Sequence, residues 1–473
     1  MKHTPTDCDD HVRISGAAEV AGGVPAIVET TRLAVTKMGA VRGVRTLLRL
    51  NQHGGFDCPG CAWPDPSQRS AAEFCENGAK AVADEATTAR VTPEFFARHS
   101  VEELLGQTDE WLNAQGRLTH PVVRRAGGSH YEPVSWEEAF ELVARHLQAV
   151  EPDEAIFYTS GRTSNEAAFL YQLFVRAYGT NNLPDCSNMC HESSGVGLGE
   201  TIGIGKGTVL LEDFDAADAI FVFGQNPGTN HPRMMTALQR AARNGCRIVS
   251  VNPLKEAGLK AFVHPQEVTS LFGRGTPLSE LFVQVRPNGD VAFIKGMMKA
   301  MLEAERDAPG TVVNREFVET RTTGYEALVR DLEAASWAEL EAGSGVVEAV
   351  MRDAAAIASG AQRMICCWAM GLTQHRNSVA TIREVVNFLL LRGNLGRPGA
   401  GVCPVRGHSN VQGDRTMGIW EKPPAFIGAL GEEFGFAPPL EHGYDSVEGV
   451  RAMRDGKASV FIGVGGNFVR AMS

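Results

Sequence analysis

The chain is 473 residues long, 43% hydrophobic and 21% charged, with a formal net charge of -11. That is ordinary for a soluble globular protein of roughly two to four domains, and the acidic balance argues against a nucleic-acid-binding surface. No apolar run reaches the roughly 18 residues needed to span a bilayer, and the start carries no secretory or twin-arginine pattern, which places the chain in the cytoplasm. Ten cysteines are too sparse for a disulfide scaffold and point, in a reducing compartment, to metal or catalytic roles.

Residues 1 to about 30 read as a loose lead-in. From Thr31 to Leu50 the pattern is helical, with Leu33, Val35, Met38, Val41, Val44, Leu47 and Leu48 roughly on one face. NQHGGFDCPGCAWPDP then sets Cys58 and Cys61 at Cys-x-x-Cys spacing, and Cys75 follows in AEFCENGAKA. Such spacing puts two thiolates on one turn, where they can bind a single metal centre. Zinc, an iron–sulfur cluster and a redox dithiol are all open; the third cysteine favours a cluster, and no fourth ligand is evident. After a helical, turn-rich connector from about residue 92, Trp136 to Val150 predicts an amphipathic helix, N-capped by Ser135 with Glu138 completing a capping box.

Ala155 to Tyr158 predicts a short buried strand that runs through TSGRTSN into a helix. This βα arrangement places ligand phosphates at a helix N-terminus, with Thr159, Ser160, Thr163 and Ser164 as hydroxyl donors. The stretch from Cys186 to Gly205, CSNMCHESSGVGLGETIGIG, sets Cys190 beside His191. Ser187 and Asn188 are good N-caps, so Cys190 is expected in or near a first helical turn whose N–H groups and dipole favour the thiolate. Gly195, Gly197 and Gly199 would each cost about 1 kcal/mol against Ala in a helix interior, a sign that something approaches this backbone closely. The alternative is a buried structural cysteine beside a hydrogen-bonded histidine.

Ala219 to Phe223 predicts a continuous apolar strand, followed by GQNPGTNHP, a helix from about Pro232 to Asn244, and a strand from Arg247 to Val251 ending in Asn252-Pro253. This is a βαβ unit, which implies a parallel sheet. It lacks G-x-G-x-x-G and an acidic residue at the end of its second strand, which disfavours an NAD site. Gln225, Asn226, Thr229 and Asn230 would instead bond a polar ligand. Further strands are expected at Leu281 to Val285, Met364 to Trp368 and Val460 to Val464, with Cys366 and Cys367 as core residues. A helix with Ile382, Val385, Val386 and Leu389 inward precedes a loop from Gly393 to Gly418, far longer than usual for a compact domain. Its glycines, Asn394, Asn410, Gln412, Arg397, Arg406 and Arg415 read as a clamp for an anionic ligand, the alternative being an exposed glycine-rich loop.

Together these features resemble the molybdopterin oxidoreductase family, in the branch of formate dehydrogenase alpha subunits. The resemblance is carried by Cys190-His191 with its glycine-rich helix, FVFGQNPGTNHPRMMTAL with NGCRIVSVNP, AMGLTQHRN with TIREVVNFLLLRGNLGRPGAGVCPVRGHSNVQG, and CPGCAWPDP with FCENGAKA. It runs from about Asn51 to the C-terminus. It implies an α/β fold of two doubly wound, Rossmann-like domains of the formate dehydrogenase/DMSO reductase type. One domain would be incomplete, and a C-terminal β-barrel domain would be absent. The expected division is residues 1–107 with the cluster region, 108–186 plus 386–473 as a discontinuous domain, and 187–385 with the molybdenum-ligand cysteine and dinucleotide loop.

The resemblance also implies chemistry: two-electron oxidation of formate or a similar small anionic substrate at a molybdenum-bis(molybdopterin guanine dinucleotide). Electrons would leave through a [4Fe-4S] cluster on Cys58, Cys61 and Cys75 to an electron-transfer partner protein. Cys190 would ligate molybdenum, His191 would be the neighbouring acid/base group, and Arg383 would orient the carboxylate. The nucleotide ends would lie on Gly224, Gln225, Asn226, Thr229, Asn230, Asn252, Pro253, Gly371, Gly393, Asn394, Arg406, Asn410 and Gln412. Lys80 resembles a lysine that bridges cluster and pterin, at a longer offset from Cys75 than is typical. Two departures stand out: three cysteines where the family uses four, and a chain that stops at VFIGVGGNFVRAMS where relatives continue. The second reading, from another class, is an inactive remnant or partner-dependent subunit keeping part of the cofactor site.

Overall fold

The computed structural model describes residues 16, 18–267 and 275–472; residues 1–15 and 17 of the expected lead-in lie outside them. In place of one helix from Thr31 to Leu50, α1 (Gly23–Leu33) begins inside the expected lead-in. It passes into a wider π-type turn (Ala34–Met38), and a separate helix covers Ala40–Leu47. Gly39, at φ 80°, breaks the run. Of the expected apolar face only Leu33, Met38 and Leu47 are buried, whereas Val35, Val41, Val44 and Leu48 are exposed. The buried three pack with Leu50 on Ala79, Val82 and Ala83 of α2 (Glu76–Glu85). The cysteine segment thus has a small helical core of its own.

Helix α3 (Trp136–Gln148) is N-capped by Ser135, which accepts the Glu138 N–H at 3.1 Å. The capping box stays half-made, because the Glu138 carboxylate pairs with Arg125 at 2.7 Å. Strand β1 (Ala155–Thr159) is buried along its whole length and leads to α4 (Asn165–Tyr178). On one side β1 receives residues 182–185, through Phe157 N–H to the Asn182 carbonyl (2.9 Å) and Thr159 N–H to that of Pro184 (3.2 Å). That contact delivers the chain to α5 (Cys186–Cys190) and α6 (Glu192–Ile202).

The main sheet begins with β2 (Ala219–Phe223), crosses over through α7 (Pro232–Arg243) to β3 (Arg247–Val251), and continues to β4 (Ser279–Val283). After α8 (Asp290–Asp307) and α9 (Glu348–Gly360) come β5 (Met364–Trp368), α10 (Ser378–Leu391) and β6 (Gly401–Pro404). The order is β4-β3-β2-β5-β6, parallel throughout. The sheet expected within 187–385 therefore takes its edge strand from beyond that range. The stretch expected as a long loop from Gly393 holds β6 and then α11 (Val411–Met417). Strand β7 (Val460–Val464) pairs in parallel with β1 in a separate two-stranded sheet.

Helices cover both faces of the main sheet, which is why its strands are continuous apolar runs. Phe221, Phe223, Val249 and Val251 face α8, α9 and α10, while Ile220, Val222 and Ile248 face α7. One carboxyl sits badly in this core. Asp290, at the start of α8, is 5% exposed; its Oδ1 has no hydrogen-bond partner, and burial pushes its carboxyl up to about 7. The native protein holds a proton there that the unfolded chain has already released, so stability falls as pH rises from about 4 to about 7. Asp290→Asn is expected to remove a loss of about 2–3 kcal/mol between pH 5 and pH 8. Urea midpoints at the two pH values measure it; equal pH dependence in both proteins would refute the assignment.

Candidate active site at the carboxyl edge of the sheet

Because the main-sheet strands are all parallel, the turns after β2, β3, β5 and β6 meet at one edge, and Cys190 is held there from several directions. Its helix α5 is not capped by Ser187 or Asn188, as the sequence pattern suggests. Asp185 caps it instead, accepting the Asn188 N–H at 3.3 Å while Asn188 Oδ1 accepts that of Asp185 at 3.2 Å. Cys190 thus closes a five-residue helix and sits just ahead of α6, near its first turn rather than in it. Its carbonyl accepts the Thr373 hydroxyl at 2.6 Å, and the Met189 carbonyl accepts Gln374 Nε2 at 2.7 Å, both from the turn after β5. The turn after β6 approaches the sulfur: a Cβ on Gly407 would lie 3.9 Å from Cys190 Sγ. Burial pushes the thiol up, against the opposing pull of the Gly407 N–H and the Arg406 guanidinium. Burial thus works against the dipole-favoured thiolate expected.

His191 is buried, with Nδ1 2.9 Å from Ser194 Oγ, which also accepts Trp368 Nε1–H at 3.0 Å. Burial and the nearby Arg406 hold the imidazole down at about 3, so it is neutral. Its Nε2 is buried without a partner. Arg415, read from sequence as part of a clamp for an anionic ligand, is an internal clamp. It takes the Asp185 carboxylate through Nε (3.0 Å) and Nη2 (2.8 Å), and Nη2 also reaches Glu192 at 2.9 Å. The guanidinium lies 5.0 Å from the centre of the Trp420 ring. One cation thus ties down the chain on both sides of Cys190.

The expected ligand residues divide between the two edges. Gly224 (φ 52°) turns the chain after β2, and its carbonyl accepts the Gly371 N–H at 3.0 Å. Gln225 is buried with Oε1 unpartnered, and its Nε2 meets Met234 Sδ at 3.0 Å. Asn226 caps the turn before Asn230, accepting the Thr229 N–H at 3.3 Å. Asn252 and Pro253 follow β3, where Asn252 Nδ2 donates to the Leu254 carbonyl at 2.7 Å. Arg406 Nη2 donates to the Gly205 carbonyl at 3.0 Å, and its Nε is unpartnered. Asn410 links this edge to β1, its N–H reaching the Gly161 carbonyl at 2.8 Å and its Nδ2 that of Thr163 at 2.6 Å. Gln412 is exposed on α11.

Gly393 and Asn394 stand elsewhere. Asn394 Oδ1 accepts the N–H of Met364, the first residue of β5, at 2.9 Å, and Arg397 at 3.0 Å. They brace the amino edge, the wrong end of a parallel sheet for a ligand. Arg383 is 48% exposed on α10 and is paired with Glu200 of α6. Its guanidinium is therefore already engaged by a carboxylate of the protein.

In the cysteine segment, a Cβ on Gly78 would lie 2.9 Å from Cys58 Sγ and 3.8 Å from Cys75 Sγ. Gly60 N–H points at Cys58 Sγ (3.3 Å) and Gly78 N–H at Cys75 Sγ (3.4 Å). Burial pushes all three thiols up, Cys75 to about 12. Among the described residues no three His, Cys, Asp or Glu side chains form a ready metal cage. Lys80 turns outward, to Asp84 at 2.8 Å. The Arg162 guanidinium weakly lowers both the Cys61 thiol and the His408 imidazole. Asn77 of α2 donates to the Thr229 carbonyl, joining the cysteine helix to the turn after β2.

The molybdopterin oxidoreductase family matches residues 117–469. The chain belongs to this family.

Among its relatives, an uncharacterized oxidoreductase of Mycobacterium tuberculosis is 55% identical over 97% of this chain and 59% of that protein. Protein YdeP of Escherichia coli is 45% identical over 97% of this chain and 62% of its own. Formate dehydrogenase H of Escherichia coli is 32% identical over 64% and 40%. The chain spans about three fifths of the length of the first two relatives. No helix among the described residues is long and apolar enough to cross a membrane.

A molybdopterin oxidoreductase implies a molybdenum–pterin cofactor, and the residues around Cys190 suit one. Buried polar atoms without partners occur in the segments that meet at this edge: His191 Nε2 beside Cys190, Gln225 Oε1 after β2, and Arg406 Nε and His408 Nδ1 after β6. Unpaired groups of this kind are costly inside a protein unless a ligand or water meets them. A heteroatom-rich pterin offers the complementary donors and acceptors. Of these groups, only Cys190, His191 and the basic and amide residues stood out in sequence. Thr373 and Gln374 did not. Asp185 could have, since Asp with Asn three residues on is a capping pair.

Proposed function

We propose that the chain carries the metal-ligand cysteine and the dinucleotide-binding turns of a formate dehydrogenase-like enzyme. Its substrate class is formate or a similar small anion, oxidised with loss of two electrons. The observation that carries this reading is Cys190: a thiol fixed by the turns after β5 and β6, facing Arg406, and followed by the buried, unpartnered Nε2 of His191. Molybdenum in a bis(molybdopterin guanine dinucleotide), when bound, supplies the two-electron acceptor. Cys190 Sγ gives up its proton on ligating it, as a metal-bound thiol does. Neutral His191 presents Nε2 as the group that holds or releases a proton at the reacting centre. Arg406 is the buried cation best placed to hold a substrate or cofactor anion, in place of Arg383. Gly224, Gln225, Asn226 and Asn252 edge the nucleotide end. Cys58, Cys61 and Cys75, with amide hydrogens aimed at two of the sulfurs, are the residues that would hold an iron–sulfur cluster, which would supply one-electron transfer to a partner protein.

The test is metal and pterin analysis of protein matured anaerobically. Molybdenum or tungsten with pterin dinucleotide, plus iron and sulfide, is expected for the wild type. Cys190→Ser should lose at least tenfold in retained molybdenum while keeping its iron. Wild-type protein that takes up iron but neither molybdenum nor tungsten would favour the remnant reading. Full molybdenum retention in Cys190→Ser would remove the ligand assignment.

A further inference from the structure

The two-stranded sheet of β1 and β7 has one closed edge and one open edge. Residues 182–185 line β1 on its far side, whereas β7 has no strand partner but β1 among the described residues. The Val464 carbonyl accepts the Ser160 N–H at 2.9 Å. Val464 and Ile462 therefore turn their backbone groups to β1, and Phe461 and Gly463 turn theirs to the open edge. Open edges are ordinarily blunted by charge, proline or a bulge. β7 is VFIGV in unbroken register and has none of the three. Helix α3 adds an uncovered apolar stripe, with Trp136, Phe140, Val143 and Leu147 recurring at helical spacing. Only Leu147 is buried, in the cluster that holds Phe157 and is flanked by Val460 and Ile462. Trp136 and Phe140, 5.6 Å apart between ring centres, are 62% and 64% exposed. On α4, Tyr171 donates its hydroxyl to the Ile462 carbonyl at 3.1 Å, and its neighbours Leu170 and Phe174 are exposed. Apolar surface of this breadth on a folded chain marks a contact face.

We propose that the open edge of β7 and the apolar stripe of α3 form a docking surface for a polypeptide that adds a strand to β7. The occupant is the portion of the relatives outside the match, about two fifths of the length of the mycobacterial oxidoreductase and of YdeP. Both match this chain over 97% of its length, and both carry that surplus. The incoming strand meets the N–H and C=O groups of Phe461 and Gly463, and its apolar side chains cover Trp136, Phe140 and Leu170. A lipid or a small ligand could fill the stripe but would leave the backbone groups of the edge unmet. The inference does not depend on a metal at Cys190.

The probe is the unmatched part of the mycobacterial relative, made as a tagged polypeptide co-expressed with this chain and also fused to it by a flexible linker. Amide exchange at Phe461 and Gly463 should be at least tenfold slower in the complex and in the fusion than in the chain alone. The fluorescence of Trp136, read as the difference from Trp136→Phe, should shift to the blue as the ring leaves water. Phe140→Asp and Leu170→Asp, both at exposed positions, should each weaken capture of the tagged polypeptide at least tenfold without moving the unfolding midpoint of the chain alone. A fusion whose Phe461 and Gly463 amides exchange as fast as in the chain alone overturns the docking surface, whether or not the separate polypeptide is captured. Capture indifferent to both aspartates overturns it too. Edge protection that instead rises with the concentration of this chain by itself, with a dimer in sedimentation equilibrium, overturns the occupant in favour of a second copy.

Discussion

Arg415→Met is expected to destabilise the protein by about 3–5 kcal/mol, the range for breaking a buried ion pair by removing one partner. If Cys190 ligates molybdenum as proposed, the substitution should also reduce molybdenum retention. Asp185 is 1% exposed, and burial already pushes its carboxyl up against the pull of Arg415. Removing the guanidinium leaves that carboxylate to take up a proton or break its cap, with Glu192 unpaired across the turn. Arg415→Lys keeps the charge but loses the two-pronged hold on Asp185, so an intermediate loss is expected. Denaturant midpoints measure the first effect and molybdenum content the second. A loss under about 1 kcal/mol for the methionine variant would mean that the clamp behaves as an exposed ion pair.

Gly224→Ala should cost about 2–4 kcal/mol, combining a left-handed backbone with overpacking. Gly224 stands at φ 52°, and its added Cβ would lie 2.7 Å from Gly371 Cα and 2.8 Å from the Gly371 carbonyl carbon. Both obstacles are backbone, so no side chain can swing away. Gly371→Ala meets the same wall from the other side, 2.5 Å from Gly224 Cα. The two losses should therefore fall well short of adding in the double variant, since one separation of the turns relieves both. Thermal unfolding of the four proteins forms the cycle; strict additivity would show that the turns do not share the strain.

The strands were the most legible part of the chain. Ala219–Phe223, Arg247–Val251, Met364–Trp368 and Val460–Val464 lie where their apolar runs place them; the first three are covered on both faces of the main sheet, which needs uninterrupted apolar sequence. β6 was hidden: Gly401–Pro404 is short, opens on glycine and closes on proline, and owes its existence to pairing with β5 rather than to local preference. The interrupted helix at the start had the reverse fault, a helical pattern long enough to mask Gly39. Within the site, Cys190, His191, Gly224 and Gln225 declare themselves by type and spacing. Arg415 did not, since its partners lie 230 and 223 residues away and its charge alone suggests a ligand. Asn394 misled for a related reason: which edge of the sheet a loop residue serves depends on strand direction, which its neighbours do not encode.

The contacts that secure Cys190 also say when it forms. Thr373 reaches it across 183 residues of sequence, and Arg415 reaches Asp185 across 230. A five-residue helix has no stability of its own, so α5 exists only once β5, β6 and α11 have closed around it. Distant pairings of this kind are paid for in chain entropy before they return anything, and they form late. In pulse-labelled refolding, the amides of β2 and β3 should gain protection before those of Asn188 and His191. A chain halted during folding would carry a formed sheet while the Cys190 thiol was still unplaced.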